Sequence, residues 1–205
     1  PSPIYVWADE YKVEEVFTNY LKRIGAKIEL PVKSVDTTLG EFKNEVSVII
    51  PVYNREKTIA DAVKSVLSQK AEFPFNIIIV DNHSTDNTTQ ILSNLAAGDK
   101  RIVHLIPEAK NLGIGGCWDL AIRHKECGRY AIQLDSDDLY IDENVISSIR
   151  ECFIKEQCAM VVGSYQMVNF KLEELPPGII NHKEWTNENG MNNALRINGL
   201  GAPRA

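Results

Sequence analysis

The sequence predicts an α/β fold with a mostly parallel central sheet flanked by helices. Short apolar runs of strand length alternate with amphipathic segments of helix length from residue 46 onward, which is the pattern of successive β-α-β units. Polar residues directly follow three of these runs. Because ligands bind beyond the carboxyl ends of strands in such sheets, the same pattern predicts a binding site at that edge.

Five apolar runs are predicted strands. The first two are almost continuously apolar, which is typical of strands that helices cover on both faces. The runs, in chain order, are "VSVIIPVYN" (46–54), "FNIIIVD" (75–81), "RIVHLI" (101–106), "RYAIQL" (129–134) and "CAMVVGSYQMV" (158–168).

Four segments between these runs are predicted helices. In the first, apolar residues recur at helical spacing from Ile59 to Leu67, and Thr58 with Asp61 resembles a capping box. After residue 169 the chain is rich in Asn, Gly and Pro, which predicts loops and short pieces. The helical segments are "TIADAVKSVLSQ" (58–69), "STDNTTQILSNLAAG" (84–98), "GGCWDLAIRHKECG" (115–128) and "DENVISSIRECFIKEQ" (142–157).

The domain organisation is predicted to change at residue 44. Residues 1–44 are expected to form a helical appendage and a linker, because apolar residues recur at near-helical spacing over 8–25 and no clear period follows. Residues 45–205 are expected to form the main domain, which carries all of the strand and helix alternation.

Composition excludes several classes of function. The formal net charge is -6 and there is no basic block, which argues against a nucleic-acid partner. No apolar stretch approaches the roughly 18–20 residues of a transmembrane segment, and the first residues lack a secretory signal pattern. The spacing of the cysteines predicts reduced thiols and a cytoplasmic protein, with peripheral association at the inner membrane face as an alternative.

The stretch "LDSDD" (134–138) is the strongest candidate for a metal site. Mg²⁺ and Mn²⁺ prefer carboxylate oxygens and usually take phosphate oxygens as further ligands. On an extended segment Asp135 and Asp137 would point to similar sides, so both could face one ligand. Asp138 would then turn away or begin the next turn.

Two further stretches follow strands. Asp81 ends the second predicted strand, where its carboxylate could accept hydrogen bonds from N–H groups of a ligand, and Thr85 and Asp86 are expected to cap the helix that follows. The stretch "NLGIGG" (111–116) is not a GxGxxG dinucleotide motif and predicts a tight strand-to-helix turn. The histidines lack metal-ligand spacing and are expected to be surface or partly buried polar residues.

Four stretches in series resemble the family-two glycosyltransferases, whose fold is called GT-A. The resemblance implies a Rossmann-like nucleotide-binding half and an acceptor part that is predicted to be incomplete in this chain. It also implies a nucleoside-diphosphate sugar donor, expected to be a UDP-sugar, and a saccharide or lipid-linked acceptor in the synthesis of cell-surface polysaccharides or glycoconjugates. The stretches are "VSVIIPVYNREKTIADAVKSVLSQ" (46–69), "IIIVDNHSTDNT" (77–88), "NLGIGG" (111–116) and "YAIQLDSDDLY" (130–140).

The resemblance assigns the nucleoside pocket to the first two stretches. Pro51, Tyr53 and Asn54 match the first-strand motif that lines this pocket. Asp81 matches the carboxylate that holds the base, usually uracil through its N3–H.

The resemblance assigns the metal-bridged diphosphate and the ribose to the DxD segment. Asp135, Ser136 and Asp137 match this segment, with Asp137 and Asp135 as the ligands of Mn²⁺ or Mg²⁺, and Asp138 matches a further Asp often found there. The implied reaction is inverting transfer, in which a carboxylate base deprotonates an acceptor hydroxyl that attacks the anomeric carbon opposite the diphosphate.

The sequence departs from the family pattern in two places. Where the family commonly has Ala-Arg-Asn, this chain has Cys117, Trp118 and Asp119, so the Arg expected near the donor is missing. No Glu-Asp pair follows Tyr140, and the catalytic base is therefore predicted to lie beyond Ala205. The fallback candidates for the base are Glu173, Glu174, Glu184 and Glu188.

Two other functions are alternatives to a transferase. A non-catalytic module that binds a nucleotide sugar is the alternative that the missing base and the missing Arg suggest. A nucleotidyltransferase on a similar sheet would need a glycine-rich basic loop after the first strand, whereas "PVYNREKT" contains no glycine.

Overall fold

Strands and helices alternate between residues 46 and 156, as the sequence predicts. The computed structural model describes residues 18–27, 36 and 39–181. The elements in these ranges are β1 (Val46–Val52), α1 (Ile59–Leu67), β2 (Phe75–Asp81), α2 (Thr88–Gly98), β3 (Ile102–Leu105), α3 (Gly113–Ile122), β4 (Tyr130–Gln133), α4 (Val145–Glu156), β5 (Tyr165–Val168) and β6 (Glu174–Ile180).

The central sheet is parallel, with strand order β3-β2-β1-β4 in the described part of the chain. β1 lies in the middle, and its residue Val46 is opposite Phe75 of β2 and Tyr130 of β4. The predicted α/β fold with a parallel central sheet is therefore confirmed. Because neighbouring strands point the same way, the ends of β1, β2 and β4 lie at one edge of the sheet.

Helices cover both faces of this sheet. On one face, alternate residues of β1 and β2 pack with apolar residues of α1, α2 and α4, among them Ile59, Leu92 and Ile146. On the other face, Ile49 and Ile78 pack with α3 residues, including Cys117. This double coverage explains why β1 and β2 read as continuous apolar runs. Within the described ranges, no helix is both long and apolar enough to cross a bilayer.

The described residues fall into two compact units. One unit contains 39–163 and carries the parallel sheet, and the other contains 18–27 and 164–181. In the second unit, residues 18–23 are helical, which agrees with the helix predicted over 8–25 for the part that is described. The rest of that helix and most of the linker lie outside the described residues, so the predicted boundary at residue 44 stays a prediction.

The expectation of loops after residue 169 is wrong for 174–180. These residues form β6, which pairs with β5 as an antiparallel two-stranded sheet, separate from the parallel one. The Pro176 and Pro177 pair argues against a central strand, but a strand of a two-stranded sheet has a free edge where a missing N–H is tolerated.

Candidate active site

Three segments meet at the carboxyl edge of the parallel sheet. They are the β1–α1 loop (53–58), the β2–α2 loop (82–87) and the β4–α4 segment (134–144). The Asn54 backbone N–H donates to Ser84 Oγ at 3.0 Å, and Thr58 Oγ1 donates to the Ser136 carbonyl at 3.0 Å. These bonds bring together the polar segments that the sequence analysis singled out.

Asp81 is a buried carboxylate at the end of β2. Its residue has no exposed surface, and each of its oxygens already accepts a hydrogen bond. The Ser84 backbone N–H donates to Oδ1 at 2.9 Å and the Thr89 hydroxyl donates to Oδ2, while His104 Nε2 lies 3.7 Å from Oδ2. A carboxylate has about four acceptor positions, so Asp81 retains the capacity to accept a further bond.

The residues of the first-strand motif occupy three different environments. Pro51 lies within β1 opposite Val80, beyond the last β4 pairing at Ile49, so its missing N–H interrupts no pairing with β4. Tyr53 is 52% exposed at the start of the loop and is available to a ligand. Asn54 has a φ of 51°, a left-handed conformation that Asn tolerates better than most residues.

The Asn54 side chain connects two loops. Its Oδ1 accepts the Thr85 backbone N–H at 2.7 Å, and its Nδ2 donates to Thr85 Oγ1 at 3.2 Å. At the next position in the β2–α2 loop, the Asp86 carboxylate accepts the backbone N–H groups of Thr88 and Glu56 at 3.0 and 3.1 Å. Asp86 thus accepts the first N–H of α2, as expected, although the N-cap position itself is Asn87, and Thr85 bonds Asn54 rather than the helix.

The predicted capping box of α1 is absent. Thr58 is the N-cap residue, but its side chain makes no capping bond. Its hydroxyl instead donates to the Ser136 carbonyl in the DxD segment. This bond between loops uses the one proton of the Thr58 hydroxyl. Through it, Thr58 supports the β4–α4 segment. Ser136 itself is 6% exposed.

Residues 135–138 form a turn. The Asp138 backbone N–H donates to the Asp135 carbonyl at 3.0 Å, and the strand pairing of β4 ends at Gln133. The expected extended segment is therefore wrong here, and the alternation of side chains along a strand does not apply. The Asp135 carboxylate accepts from Gln133 Nε2 at 2.9 Å. Asp138 is the last residue of this turn rather than the first of the next one.

Desolvation and neighbouring negative charge act together on Asp138. Desolvation raises the pKa of Asp138 above its ordinary value, and the charges of Asp135 and Asp137 raise it further. The cluster receives positive charge from Arg55, whose Nε lies 3.3 Å from Asp137 Oδ2. Sequence reasoning did not identify Arg55, although it lies inside the motif "VYNREKT".

The aspartates can supply only part of the coordination shell of a metal ion. In the ranges that the structure describes, no group of three or more His, Cys, Asp or Glu residues is arranged to hold a metal ion. Mg²⁺ and Mn²⁺ are commonly held by one or two carboxylates together with substrate phosphates and water. Asp135 and Asp137 offer such hard oxygen ligands, so the residues present fit a metal that arrives with a diphosphate.

The "NLGIGG" stretch forms the predicted strand-to-helix turn. Asn111 and Gly113 have φ angles of 61° and 65°, and α3 begins at Gly113. The Leu112 backbone N–H donates to Asn82 Oδ1 at 3.3 Å, which ties this turn to the end of β2. Trp118 is partly buried and packs with the apolar residues between α3 and the sheet.

His83 and His104 are partly buried, within the expected range, and each has a buried ring nitrogen. The side chain of His104 is 10% exposed, and its Nε2, like that of His83, is buried without a hydrogen-bond partner among the described residues. Burial lowers the pKa of His104, against the opposing effect of the nearby Asp81 carboxylate. The alternation of side chains in β3 was the available signal, because it places His104 on the same face of its strand as buried Ile102.

Two of the fallback bases lie in the β5–β6 unit. Glu173 accepts from Asn169 Nδ2 and Glu174 from Gln166 Nε2, each at 2.7 Å, so both carboxylates already serve the hairpin. Glu184 and Glu188 lie outside the described residues. The catalytic base stays unassigned within the described ranges.

A comparison with models of protein families identifies the family of this chain. The model of glycosyl transferase family 2 matches residues 47–201. The chain belongs to this family. The predicted resemblance is thereby confirmed, and the chain is a member of a family of glycosyltransferase enzymes.

Named members of the family show the same relationship over part of the chain. The putative teichuronic acid biosynthesis glycosyltransferase TuaG of Bacillus subtilis (strain 168) is 35% identical over 130 residues, 63% of this chain and 50% of TuaG. The glucosyltransferase WfgD of Escherichia coli, named as acting on α-D-GlcNAc-diphosphoundecaprenol with UDP-Glc, is 32% identical over 124 residues, 60% of this chain and 47% of WfgD. The chain thus spans about half the length of these curated relatives or less.

A solved structure supports the fold of this family-2 member. Residues 1–349 of S. aureus TarS, in complex with UDP-GlcNAc, superpose with a TM-score of 0.52 at 27% sequence identity. The match covers 64% of this chain and 37% of the TarS chain. This similarity confirms the GT-A architecture of the parallel sheet and its helices.

Proposed function

We propose that this chain carries the donor-binding part of an inverting glycosyltransferase that takes its sugar from a nucleoside-diphosphate sugar, most simply a UDP-sugar. The observation that carries the proposal is the convergence of Asn54, Asp81 and the 135–138 turn at one sheet edge, in a chain that matches the family over 47–201. The complex of TarS with UDP-GlcNAc supports the choice of a uridine nucleotide.

The proposed base-binding group is Asp81. Uracil presents an imide N–H, and an ionised carboxylate is an acceptor only, so the two are complementary. The Ser84 N–H and the Thr89 hydroxyl hold the Asp81 carboxylate in one orientation. Tyr53 is half exposed and follows Val52, the residue paired with Asp81, and we expect it to offer a ring face to the nucleoside.

The proposed diphosphate-binding group is the turn that contains Asp135, Ser136 and Asp137. Asp135 and Asp137 would hold Mn²⁺ or Mg²⁺, which when bound supplies the positive charge that stabilises the leaving diphosphate. Thr58 and Gln133 orient the turn through their bonds to the Ser136 carbonyl and the Asp135 carboxylate.

The reaction would exchange one bond at the anomeric carbon. The oxygen of the acceptor hydroxyl forms the new bond, the bond to the diphosphate oxygen breaks with its electron pair, and a base removes the hydroxyl proton. No residue is assigned as that base, and Glu173, Glu174, Glu184 and Glu188 remain the candidates.

We further propose that the acceptor is a saccharide or lipid-linked saccharide used for a cell-surface polysaccharide or glycoconjugate. The names of TuaG and WfgD support this class of product. The proposed location is the cytoplasm, with contact to the inner membrane face where a lipid-linked acceptor would be presented.

Calorimetry with UDP and Mn²⁺ tests the donor site. We expect Asp137→Ala to weaken binding about 10- to 100-fold, the effect of losing bonds to a charged group. Asp119→Ala is the matched control, because Asp119 is an exposed aspartate paired with Arg123 on α3. The proposal would be contradicted if the wild type did not bind UDP, or if Asp137→Ala bound it with the same affinity as the wild type. Binding by the full-length protein without transfer or donor hydrolysis would favour the non-catalytic module instead.

A further inference from the structure

Arg55 and Asp137 form an ion pair that links the β1–α1 loop to the metal-binding turn. Arg55 Nε lies 3.3 Å from Asp137 Oδ2. The two side chains are 46% and 50% exposed, so solvent weakens their attraction. An exposed pair of this kind contributes little to stability and is easily exchanged for another partner.

The position of the guanidinium is defined by the backbone of its own loop. Arg55 Nη1 donates to the Asn54 carbonyl at 3.2 Å and lies 3.5 Å from the Tyr53 carbonyl. The Arg55 backbone N–H donates to Thr88 Oγ1 at 2.8 Å, which fixes the loop to α2. Nη2 has no partner in the described part of the chain and remains available to a ligand.

The Arg55 guanidinium and the metal are expected to compete for Asp137, and Asp137 and the phosphate are expected to compete for Arg55. Asp137 is a proposed ligand of the metal, and a carboxylate oxygen that accepts from Arg55 is less available to Mn²⁺ or Mg²⁺. The guanidinium is also a fork of donors that matches phosphate oxygens. The chain lacks the Arg that its family commonly has on α3, where Trp118 stands instead.

We propose that Arg55 is an exchange residue of the donor site: it neutralises Asp137 before the donor binds and passes to the diphosphate when the metal takes Asp137. The inference rests on the proposed function, since it requires a metal-diphosphate at this turn. It assigns Arg55, from the loop after β1, the cationic contact that the missing α3 Arg does not supply.

Two binding measurements with Arg55→Ala distinguish exchange from a structural role, because their expected changes have opposite signs. Mn²⁺ alone, followed by electron paramagnetic resonance, should bind up to about fivefold more tightly, because a competing ion pair has been removed. UDP, titrated at saturating Mn²⁺ so that the metal occupies Asp137, should bind about 10- to 100-fold more weakly, because charged hydrogen bonds to phosphate are lost.

Two further variants control the experiment. Arg123→Ala removes a more exposed Arg–Asp pair outside the site, with a 2.7 Å contact to Asp119, and should change neither affinity. Arg55→Lys keeps the charge without the fork and should give intermediate values, so a folding defect in the Ala variant would not decide the result.

The inference can fail separately from the proposed function. Unchanged Mn²⁺ affinity in Arg55→Ala overturns it, as does UDP affinity at saturating Mn²⁺ equal to that of the wild type. Parallel weakening of both ligands also overturns it, since a merely structural Arg55 would act this way. If the wild type binds UDP with Mn²⁺ and Asp137→Ala does not, the proposed function stands even when the Arg55 variants show no effect.

Discussion

Asp81 shows how one residue can be both structural and a ligand candidate. A buried charge without partners costs several kcal/mol, and the Ser84 N–H and Thr89 hydroxyl offset this cost in the folded protein. The sequence pointed to Asp81 because it ends an apolar strand. The sequence did not show that its carboxylate would be completely enclosed, since the donors come from a loop and a helix that fold back over it.

The same pocket predicts a pH dependence of stability that originates at His104. Burial lowers the pKa of the folded-state imidazole below the ordinary 6.5, so the unfolded chain takes up a proton that the folded protein excludes. The free energy of unfolding should therefore fall as the pH drops below about 6.5, and stop falling through this group below its folded pKa. Denaturant unfolding of the wild type and His104→Gln between pH 5 and 8 measures this.

His104→Gln should lose stability less steeply than the wild type over the acidic part of this range. Gln retains a side chain that hydrogen-bonds but does not titrate. Parallel pH curves for the two proteins would contradict the assignment of this dependence to His104.

At the scale of elements, the loops at the carboxyl edge are fastened to one another. Glu56 Oε2 accepts the backbone N–H and the side chain of Asn87 at 3.0 and 2.9 Å, beside the Asn54–Thr85 contacts. Sequence patterns identified the strands and helices because each follows a local period. The partners of the loop residues could not be predicted, because they are about 30 positions apart and depend on how β1 and β2 pair.

At the opposite edge of the sheet, Gly128 permits a close approach of backbone to backbone. A Cβ added at Gly128 would lie 2.9 Å from the Val46 carbonyl carbon and 3.0 Å from the Asn44 oxygen. The Gly128 N–H also donates to the buried Ser47 hydroxyl at 2.7 Å. Gly128→Ala should therefore reduce the free energy of unfolding by about 1–3 kcal/mol, the range typical of overpacking.

Urea unfolding checks this prediction against Gly98→Ala. A Cβ at Gly98 meets no atom within 4 Å, so this control should be neutral or slightly stabilising. Equal stability of Gly128→Ala and the wild type would show that the β4 connection can move away from β1.

At the scale of the whole molecule, donor binding should stabilise the fold in a metal-dependent way. At 100 times the dissociation constant, a ligand that binds only the folded state adds about 2.7 kcal/mol, which corresponds to about 5–10 °C in Tm at this chain length. Thermal unfolding with UDP and Mn²⁺ should show this increase, and EDTA should remove most of it. CDP is the control, since cytosine lacks the N3–H that Asp81 would accept.

An increase in Tm with UDP that is the same in Mn²⁺ and in EDTA would contradict the metal role of Asp135 and Asp137. An equal increase with CDP would contradict the base role of Asp81. The first result tests the metal-binding turn and the second tests the base-binding residue, so the two parts of the proposed site are tested separately.

By itself, the sequence determined the alternation of strands and helices, the parallel sheet and the edge where the polar residues meet. Apolar periodicity is a local property, and the right-handed β-α-β connection leaves few arrangements for such a pattern. The resemblance to family-two glycosyltransferases extended this to a nucleotide-sugar site, and the family match over 47–201 confirmed the relationship.

The tertiary structure alone decided which side chains meet within that edge. In the structure, the DxD segment is a turn and not an extended segment, the Thr58 hydroxyl donates to the Ser136 carbonyl, and Arg55 is paired with Asp137. The last pair is separated by 82 residues, and no local period relates them. Such contacts depend on strand pairing and on loop geometry across the whole sheet. The spacing of residues along the chain therefore does not predict them.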